Sequence, residues 1–478
     1  MTHQAPTGQT PAAFAYEGEA LPLTNEQRQM LRRMHDSPYP TSYTTVVRLE
    51  LTGDVRPEVL RAALDELVVR HHTLRSRFVD GPEGRPVQLV DAPRPATFEL
   101  IDVTDLPEPQ RAEAARELAD RLNREPFDVT AGRLLRTALL RTGADEWQLY
   151  LAYHHIAVDG WALRVLLEEL SVLYANGLGG EPRALPEPVQ SADCARRQLD
   201  DAAVRRAEEN IAWWRDVLRG HTHVLDFPLD GPRTGQFIGA GATEPVRIGP
   251  EVYQALRRTA AECGATVFVA VASAVGVFLS RLTGQRDLVL SVPFFNRSAA
   301  DDRAVTCLSG PLLLLVEVRA EETFKELVER TADRFFDGLE HTALPVMDLL
   351  DTLVAEDGWT TPRPPCAAVA MQTFGFEKVA ELPGATARLH HESVHVALTD
   401  LVLNLTESDD GIDGFALYRS ALFRPETMRR WMRELTELTA ALAREPGRPL
   451  AAVAPPAPSA VPTASSSAPP SAPDRTPA

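Results

Sequence analysis

The sequence predicts an α/β protein built as two lobes, and three observations carry that expectation. Strand-like and helix-like stretches alternate along the chain. Two late strands are apolar almost without interruption. A Pro/Gly-rich break, Gly177 to Pro188, interrupts the alternation. Alternating elements belong to α/β folds, and continuously apolar strands belong to sheets covered on both faces. The 478 residues, 44% hydrophobic and 24% charged, suffice for a substantial core and suit a large two-lobed fold.

The elements follow in order. Thr44 to Leu51 (TTVVRLEL) is rich in β-branched residues and reads as a strand. Pro57 then opens a helix whose apolar residues, Val59, Leu60, Ala63, Leu64, Leu67 and Val68, fall at helical spacing. Arg133 to Leu140 and Trp147 to His155 read as strands, and a helix runs through Ile211 to Leu218. Thr266 to Leu282 is a helix apolar on most sides, hence buried. Asp287 to Phe294 and Leu312 to Val318 are the two apolar strands. Residues 1–20 are Pro/Gly/Thr-rich and are expected to be flexible. The N-terminal lobe is placed at 21–185 and the C-terminal lobe at 186–445. The segment 446–478, with ten prolines in 33 residues and little else but Ala and Ser, is expected to be a disordered tail.

Composition excludes several classes of function. The 49 Lys and Arg against 67 Asp and Glu leave a net charge of −18. A surface this acidic repels phosphate backbones and anionic lipids, so neither nucleic acid nor membrane is an expected partner. The longest apolar run, Ala265 to Leu279, is shorter than the ~20 residues a bilayer requires. The N-terminus has neither the basic start nor the apolar core of a signal peptide. Four scattered cysteines (Cys194, Cys263, Cys307, Cys366) form no disulfide framework, and a monomeric cytoplasmic protein is expected.

The most informative stretch is His154-His155-Ile156-Ala157-Val158-Asp159-Gly160. Alternation along the preceding strand puts Leu149, Leu151, Tyr153 and His155 on one face, with Gln148, Tyr150, Ala152 and His154 on the other. The two histidines therefore point in opposite directions. Leu163, Leu166, Leu167, Leu170 and Leu173 then mark an amphipathic helix, with Asp159 where its cap belongs. An imidazole at a strand end, beside a helix N-terminus, offers a base titrating near neutrality and N–H donors for developing negative charge. Acyl transfer needs both. A histidine in this position is more often a hydrogen-bonded structural residue than a base, and Asp159 by itself is an ordinary cap.

HHIAVDG fits the HHxxxDG signature of nonribosomal peptide synthetase condensation domains. Other segments resemble that family in its order: LTNEQRQML (23–31), RHHTLRSRF (70–78), PFDVTAGRLLRTALLR (126–141), WWRDVL (213–218), LTGQRDLVLSVPFFNR (282–297), and LTDLVLNLTE with the later YRSALF (398–423). The resemblance covers about residues 20–440. It implies two chloramphenicol acetyltransferase-like lobes in a V-shaped pseudodimer with a central tunnel. It also implies that donor and acceptor carrier proteins deliver thioesters on phosphopantetheine, with no cofactor or metal bound. An acyl or aminoacyl group would pass to an amine or alcohol nucleophile as an amide or ester.

In such domains the second histidine, here His155, projects into the tunnel as base or orienting group. Gly160 leaves room there, with a nearby backbone N–H helping an oxyanion. His154 packs, and Asp159 pairs with an arginine, for which Arg297 is the match. The chain departs from the family where CLSGPLLLLVEV (307–318) lacks an expected Asn and Thr, and where Trp161-Ala162 follows the signature. It carries no adenylation motif, and Leu178-Gly179-Gly180 is followed by Glu181, not the serine of a carrier motif. The expectation is a free-standing enzyme meeting its carriers, or a free small-molecule nucleophile, in trans, or else a single module excised from a larger synthetase whose Pro/Ala/Ser tail led to a carrier. Epimerisation and non-catalytic recruitment on the same fold are the alternatives.

His391-Glu392-Ser393-Val394-His395 matches the HExxH of zinc hydrolases, but that motif works only on a helix. The flanking residues read as a strand, along which four residues span ~13 Å, too far for two ligands of one ion. Zinc hydrolysis is not expected. Arginines 28, 32, 33, 61, 70, 75 and 77 are expected on solvated helix faces, a few of them available to an acidic carrier.

Overall fold

A computed structural model describes residues 18–35, 37–81, 84–179, 181–221, 224–233, 238–356, 366–372, 382–392 and 395–453. The first half runs α1 (Asn25–His35), β1 (Thr44–Gly53), α2 (Pro57–Arg70), β2 (Ser76–Asp80), β3 (Pro86–Val90), β4 (Thr97–Asp102), α3 (Glu108–Arg124), β5 (Leu135–Arg141), β6 (Glu146–His154) and α4 (Gly160–Gly177). Next come α5 (Ser191–Gln198), α6 (Asp201–Leu218), β7 (Gly239–Ile248), α7 (Pro250–Glu262), α8 (Val267–Thr283), β8 (Asp287–Phe295), β9 (Ser309–Glu317), α9 (Phe324–Glu340) and α10 (Val346–Glu356). The chain closes with β10 (Ala367–Gln372), β11 (Ala385–His391), β12 (Val396–Ala397), β13 (Leu401–Ser408), β14 (Gly411–Arg419) and α11 (Pro425–Arg444).

Two large sheets organise these elements, in the strand orders β11-β1-β6-β5-β4 and β12-β7-β14-β13-β10-β8-β9. Each is built from the patterns its sequence carries. In the first, β6 sends Leu149, Leu151 and Tyr153 into a core shared with α2 and α4, and sends Tyr150 and Ala152 into a second core under α3. In the second, Leu288–Val292 and Leu312–Val316 are buried without a break, as expected for strands covered on both faces. Helix α8 lies against them with every residue from Phe268 to Leu279 buried. Thr266 caps it by accepting from the Val269 N–H, and Gly284, at φ +76°, ends it. No single helix among the described residues is long and apolar enough to cross a membrane.

The expected lobes at 21–185 and 186–445 share one sheet and one core. Strand β11, from the C-terminal part, pairs antiparallel with β1 from Val47↔His391 to Gly53↔Ala385, completing the N-terminal sheet. Val305, Cys307 and Leu382 likewise belong to the N-terminal core. The reason is an edge strand that would otherwise stay unpaired. β11 alternates Ala385, Ala387 and Leu389 toward that core with Thr386 and Arg388 outward, so it fits the open side of β1. The two chains approach so closely at the turn that a Cβ on Gly53 (φ +141°) would lie 2.2 Å from the Gly384 carbonyl oxygen.

The first eight residues of the expected disordered tail are ordered. Residues 446–453 dock on the C-terminal lobe: the Lys325 N–H donates to Pro446 O (3.1 Å), Leu450 N–H to Glu322 O (2.8 Å) and Ala451 N–H to Ala320 O (3.0 Å). Leu450 and Val453 enter the core. Averaging over a Pro/Ala/Ser-rich segment hides two apolar anchors. The rest of the expected tail, 454–478, and residues 1–17 of the expected flexible N-terminus lie outside the described residues. Leu450→Ala is expected to lower the unfolding free energy by about 2–4 kcal/mol, measured by urea denaturation; an unchanged midpoint would show that the docked segment adds nothing.

Candidate active site

The site forms where β6 ends. His154 is its last residue and is fully buried, its ring 6.1 Å from the edge-on Phe127 ring and 6.2 Å from Tyr43. Its Nδ1 accepts the Ile156 N–H at 3.1 Å, so the imidazole is neutral with its proton on Nε2, an atom without a partner. Burial, helped by the neighbouring His155 and Arg136, pushes its pKa down to about 3. His154 therefore packs and supports the turn, as expected.

His155 comes one residue later and faces away. Its backbone N–H donates to Tyr43 O at 2.8 Å, fixing the turn to the start of β1. The ring is partly exposed, and its Nδ1 lies 3.8 Å from Cys307 Sγ, in the segment linking β8 to β9. That thiol also lies 3.8 Å from Ser309 O, to which it donates. When the thiol donates to Ser309 O, the sulfur can accept from Nδ1–H, and in that tautomer Nε2 of His155 keeps its lone pair. Burial raises the Cys307 pKa well above its ordinary value, so it serves as a neutral hydrogen-bonding thiol rather than a thiolate.

Asp159 caps α4 as predicted, its Oδ1 accepting from the Ala162 N–H at 2.8 Å. The same oxygen meets Arg297 Nη2 at 2.8 Å, and Oδ2 accepts from the Leu308 N–H at 2.9 Å. Asp159 and Arg297 have side chains 0% and 4% exposed, so each charge depends on the other. Arg297 goes on to Asp301 O (3.0 Å), Ala304 O (2.8 Å) and Thr306 O (3.0 Å), shaping the segment that presents Cys307. The expected Asp–Arg pairing is present, and it joins the helix after the signature to the linker after β8.

Gly160 opens α4. A Cβ there would lie 3.1 Å from Phe295 Cζ, so the missing side chain makes room for the Phe295 ring. Phe295 also packs on Trp161, ring centroids 5.9 Å apart.

Sequence reasoning missed Gln27 although it lies in one of the quoted segments. Its Nε2 lies 3.2 Å from Ile156 O, 3.1 Å from Ser191 Oγ and 3.1 Å from Thr306 Oγ1. One buried amide thus ties α1 to the histidine turn, to α5 and to the Arg297 segment; a lone Gln in a helical stretch carries no periodic signal of that. Several arginines expected on solvated faces are partnered within the fold: Arg70 with buried Glu169 (3.0 Å), Arg77 with Asp91 (2.8 Å), and Arg75 with backbone oxygens such as Val68 O (3.1 Å).

The HExxH match lies at a strand end, as expected. His391 ends β11, Glu392 accepts from Arg48 Nε at 2.7 Å, and His395 Nε2 is 3.3 Å from Asp120. Ser393 and Val394 lie outside the described residues. The carboxylate is committed to an arginine and the residues do not share a helix face, so the set does not fit zinc.

The condensation-domain family model matches residues 17–457. The chain belongs to the condensation-domain family. Among its relatives, phosphinothricin tripeptide synthetase PhsC of Streptomyces viridochromogenes is 32% identical over 442 residues. That match takes 91% of this chain but 40% of PhsC, so the domain spans less than half of that relative. The fold is that of solved condensation domains. A mutant starter condensation domain of rhizomide synthetase in complex with C8-CoA superposes with a TM-score of 0.78 at 21% identity, covering 91% of this chain and 97% of that one. An X-domain from teicoplanin biosynthesis, in complex with OxyB, gives 0.77 at 23% identity, covering 94% and 99%.

Two outcomes check this geometry. Asp159→Ala strands a buried guanidinium and is expected to cost about 3–5 kcal/mol of stability; Arg297→Ala should cost a similar amount, and the double variant less than the sum. Additive losses in urea titrations would show that the two residues act independently. The depressed pKa of His154 means the unfolded chain takes up a proton that the folded one refuses. Its stabilising effect is whole above pH ~6.5 and declines as pH falls toward 3, by up to about 1.4 kcal/mol per unit. The difference in unfolding free energy between the native protein and His154→Gln should therefore shrink from pH 7.5 to 5; a constant difference refutes a neutral, buried His154.

Proposed function

We propose that this domain joins a carrier-tethered acyl or aminoacyl thioester to an amine or alcohol nucleophile, with His155 acting on the nucleophile. The carrying observation is the partly exposed His155 ring, its Nδ1 beside Cys307, near an Asp159 and Arg297 pair that locks its surroundings. The nucleophile's N–H or O–H donates to Nε2 as its lone pair attacks the thioester carbonyl. A tetrahedral oxyanion forms, for which the first turn of α4, opening at Gly160, offers a helix N-terminus. Collapse breaks the C–S bond. The proton held by His155 passes to the departing phosphopantetheine thiolate, leaving an amide or ester and restoring the neutral imidazole. Phosphopantetheine belongs to the carrier and serves as part of the substrate.

Binding of C8-CoA by the rhizomide domain supports an acyl thioester as donor. The X-domain fold is equally similar, so architecture does not separate catalysis from recruitment. The retained His155, Asp159, Gly160 and Arg297 arrangement favours catalysis. Epimerisation would use the same histidine but needs no second reactant, so product mass distinguishes it.

With donor-loaded and acceptor carriers supplied, His155→Ala is expected to reduce product formation roughly 10²- to 10⁴-fold, followed by intact mass spectrometry of the carriers. An unchanged rate in a folded variant would remove His155 from the mechanism. Product formed with no change in mass would favour epimerisation.

A further inference from the structure

Beside the site lies a small, partly open cavity between α1 and the C-terminal lobe. Its walls are mostly apolar, with Trp214, Phe294, Leu312 and Leu344 among them, and one carboxylate, Glu26, lines it. Glu26 is the second residue of α1 and only 6% exposed. Its Oε2 accepts from Gln198 Nε2 at 3.0 Å, its Oε1 has a long contact of 3.4 Å with Asn296 Nδ2, and its own backbone N–H also reaches the carboxylate. Among the described residues, no Lys, Arg or His forms an ion pair with it. Arg28, two residues on, turns instead to Leu23 O and Asn25 Oδ1. Nearby Asp159 has its own arginine, so Glu26 meets that like charge, and the positive charge of Arg28 acts on it without an ion-pair contact.

A buried carboxylate without a cation is costly and is normally neutralised or paired. Burial, the dominant cause, and Asp159 together raise the Glu26 pKa above its ordinary value. An arriving cation would remove that penalty. The cavity also adjoins the reaction centre: Gly310 and Pro311 in its wall directly follow Ser309, which receives the Cys307 thiol that holds His155.

We propose that this cavity selects a reactant whose aliphatic substituent ends in an ammonium group, with Glu26 as the residue that reads the charge. The inference rests on the acyl-transfer reading for what enters the cavity, while the selection is a property of binding. Apolar walls hold the methylenes, Glu26 Oε1 accepts from the ammonium, and Gln198 keeps the carboxylate oriented.

The probes are two N-acetylcysteamine thioesters of equal length, 6-aminohexanoyl and heptanoyl, which differ only in a terminal ammonium against a terminal methyl. Calorimetric titration of the native protein should show the ammonium compound binding at least ~10-fold more tightly, the effect of one charge-assisted hydrogen bond at a buried site. Glu26→Gln should bring the two within about twofold by weakening the ammonium compound alone. His155→Ala should keep the native preference, so loss of catalysis and loss of selection are read separately. Equal affinities, tighter binding of heptanoyl, or no binding of either by the native protein would overturn the proposal whether or not the variants fold. A preference that survives in Glu26→Gln would overturn the role of Glu26.

Discussion

The buried pair of Asp159 and Arg297 is the interaction on which the site depends. Neither charge is tolerable alone where solvent is excluded, so the helix after the signature and the segment after β8 are obliged to meet. That meeting has consequences at both ends. Asp159 spends its remaining lone pairs on the Ala162 and Leu308 N–H groups. The Nη groups of Arg297 also donate to three carbonyls of its own segment, which delivers Cys307 to the flank of His155. A structural ion pair thus helps to set the position of an imidazole it never touches.

Two adjacent histidines illustrate how environment divides roles. His154 follows the alternation of β6 into a closed apolar core, gives its lone pair to a backbone N–H, and stays neutral. His155 emerges where the ladder ends, so its ring reaches the junction between the sheets while its backbone remains tied to Tyr43. The period of a strand is enough to separate them. The tautomer of His155 is then a matter for the thiol beside it.

Much of the fold was legible in local pattern. The helices at Pro57 and Val267 and the strands at Thr44, Glu146, Asp287 and Ser309 appear close to where spacing, capping and apolar runs put them, because each pattern encodes its own periodicity. The strand β11 was readable as a strand, yet nothing in its residues names β1 as its partner. Leu450 and Val453 were invisible for a related reason: composition averages over a segment, whereas docking depends on two side chains meeting a core.

By itself, then, the sequence determined the α/β class, the opposed histidines, the cap at Asp159 and the family, all of which are written in short-range order. Only the tertiary structure decided that a strand from the second half closes the first sheet, and that Gln27 joins three segments. It also decided that Phe295 packs against Gly160, and that Glu26 lines a cavity with no ion-pair contact among the described residues. Each of these is a contact between residues more than a hundred positions apart, and such contacts are fixed by which surfaces are left to bury once the local elements have formed.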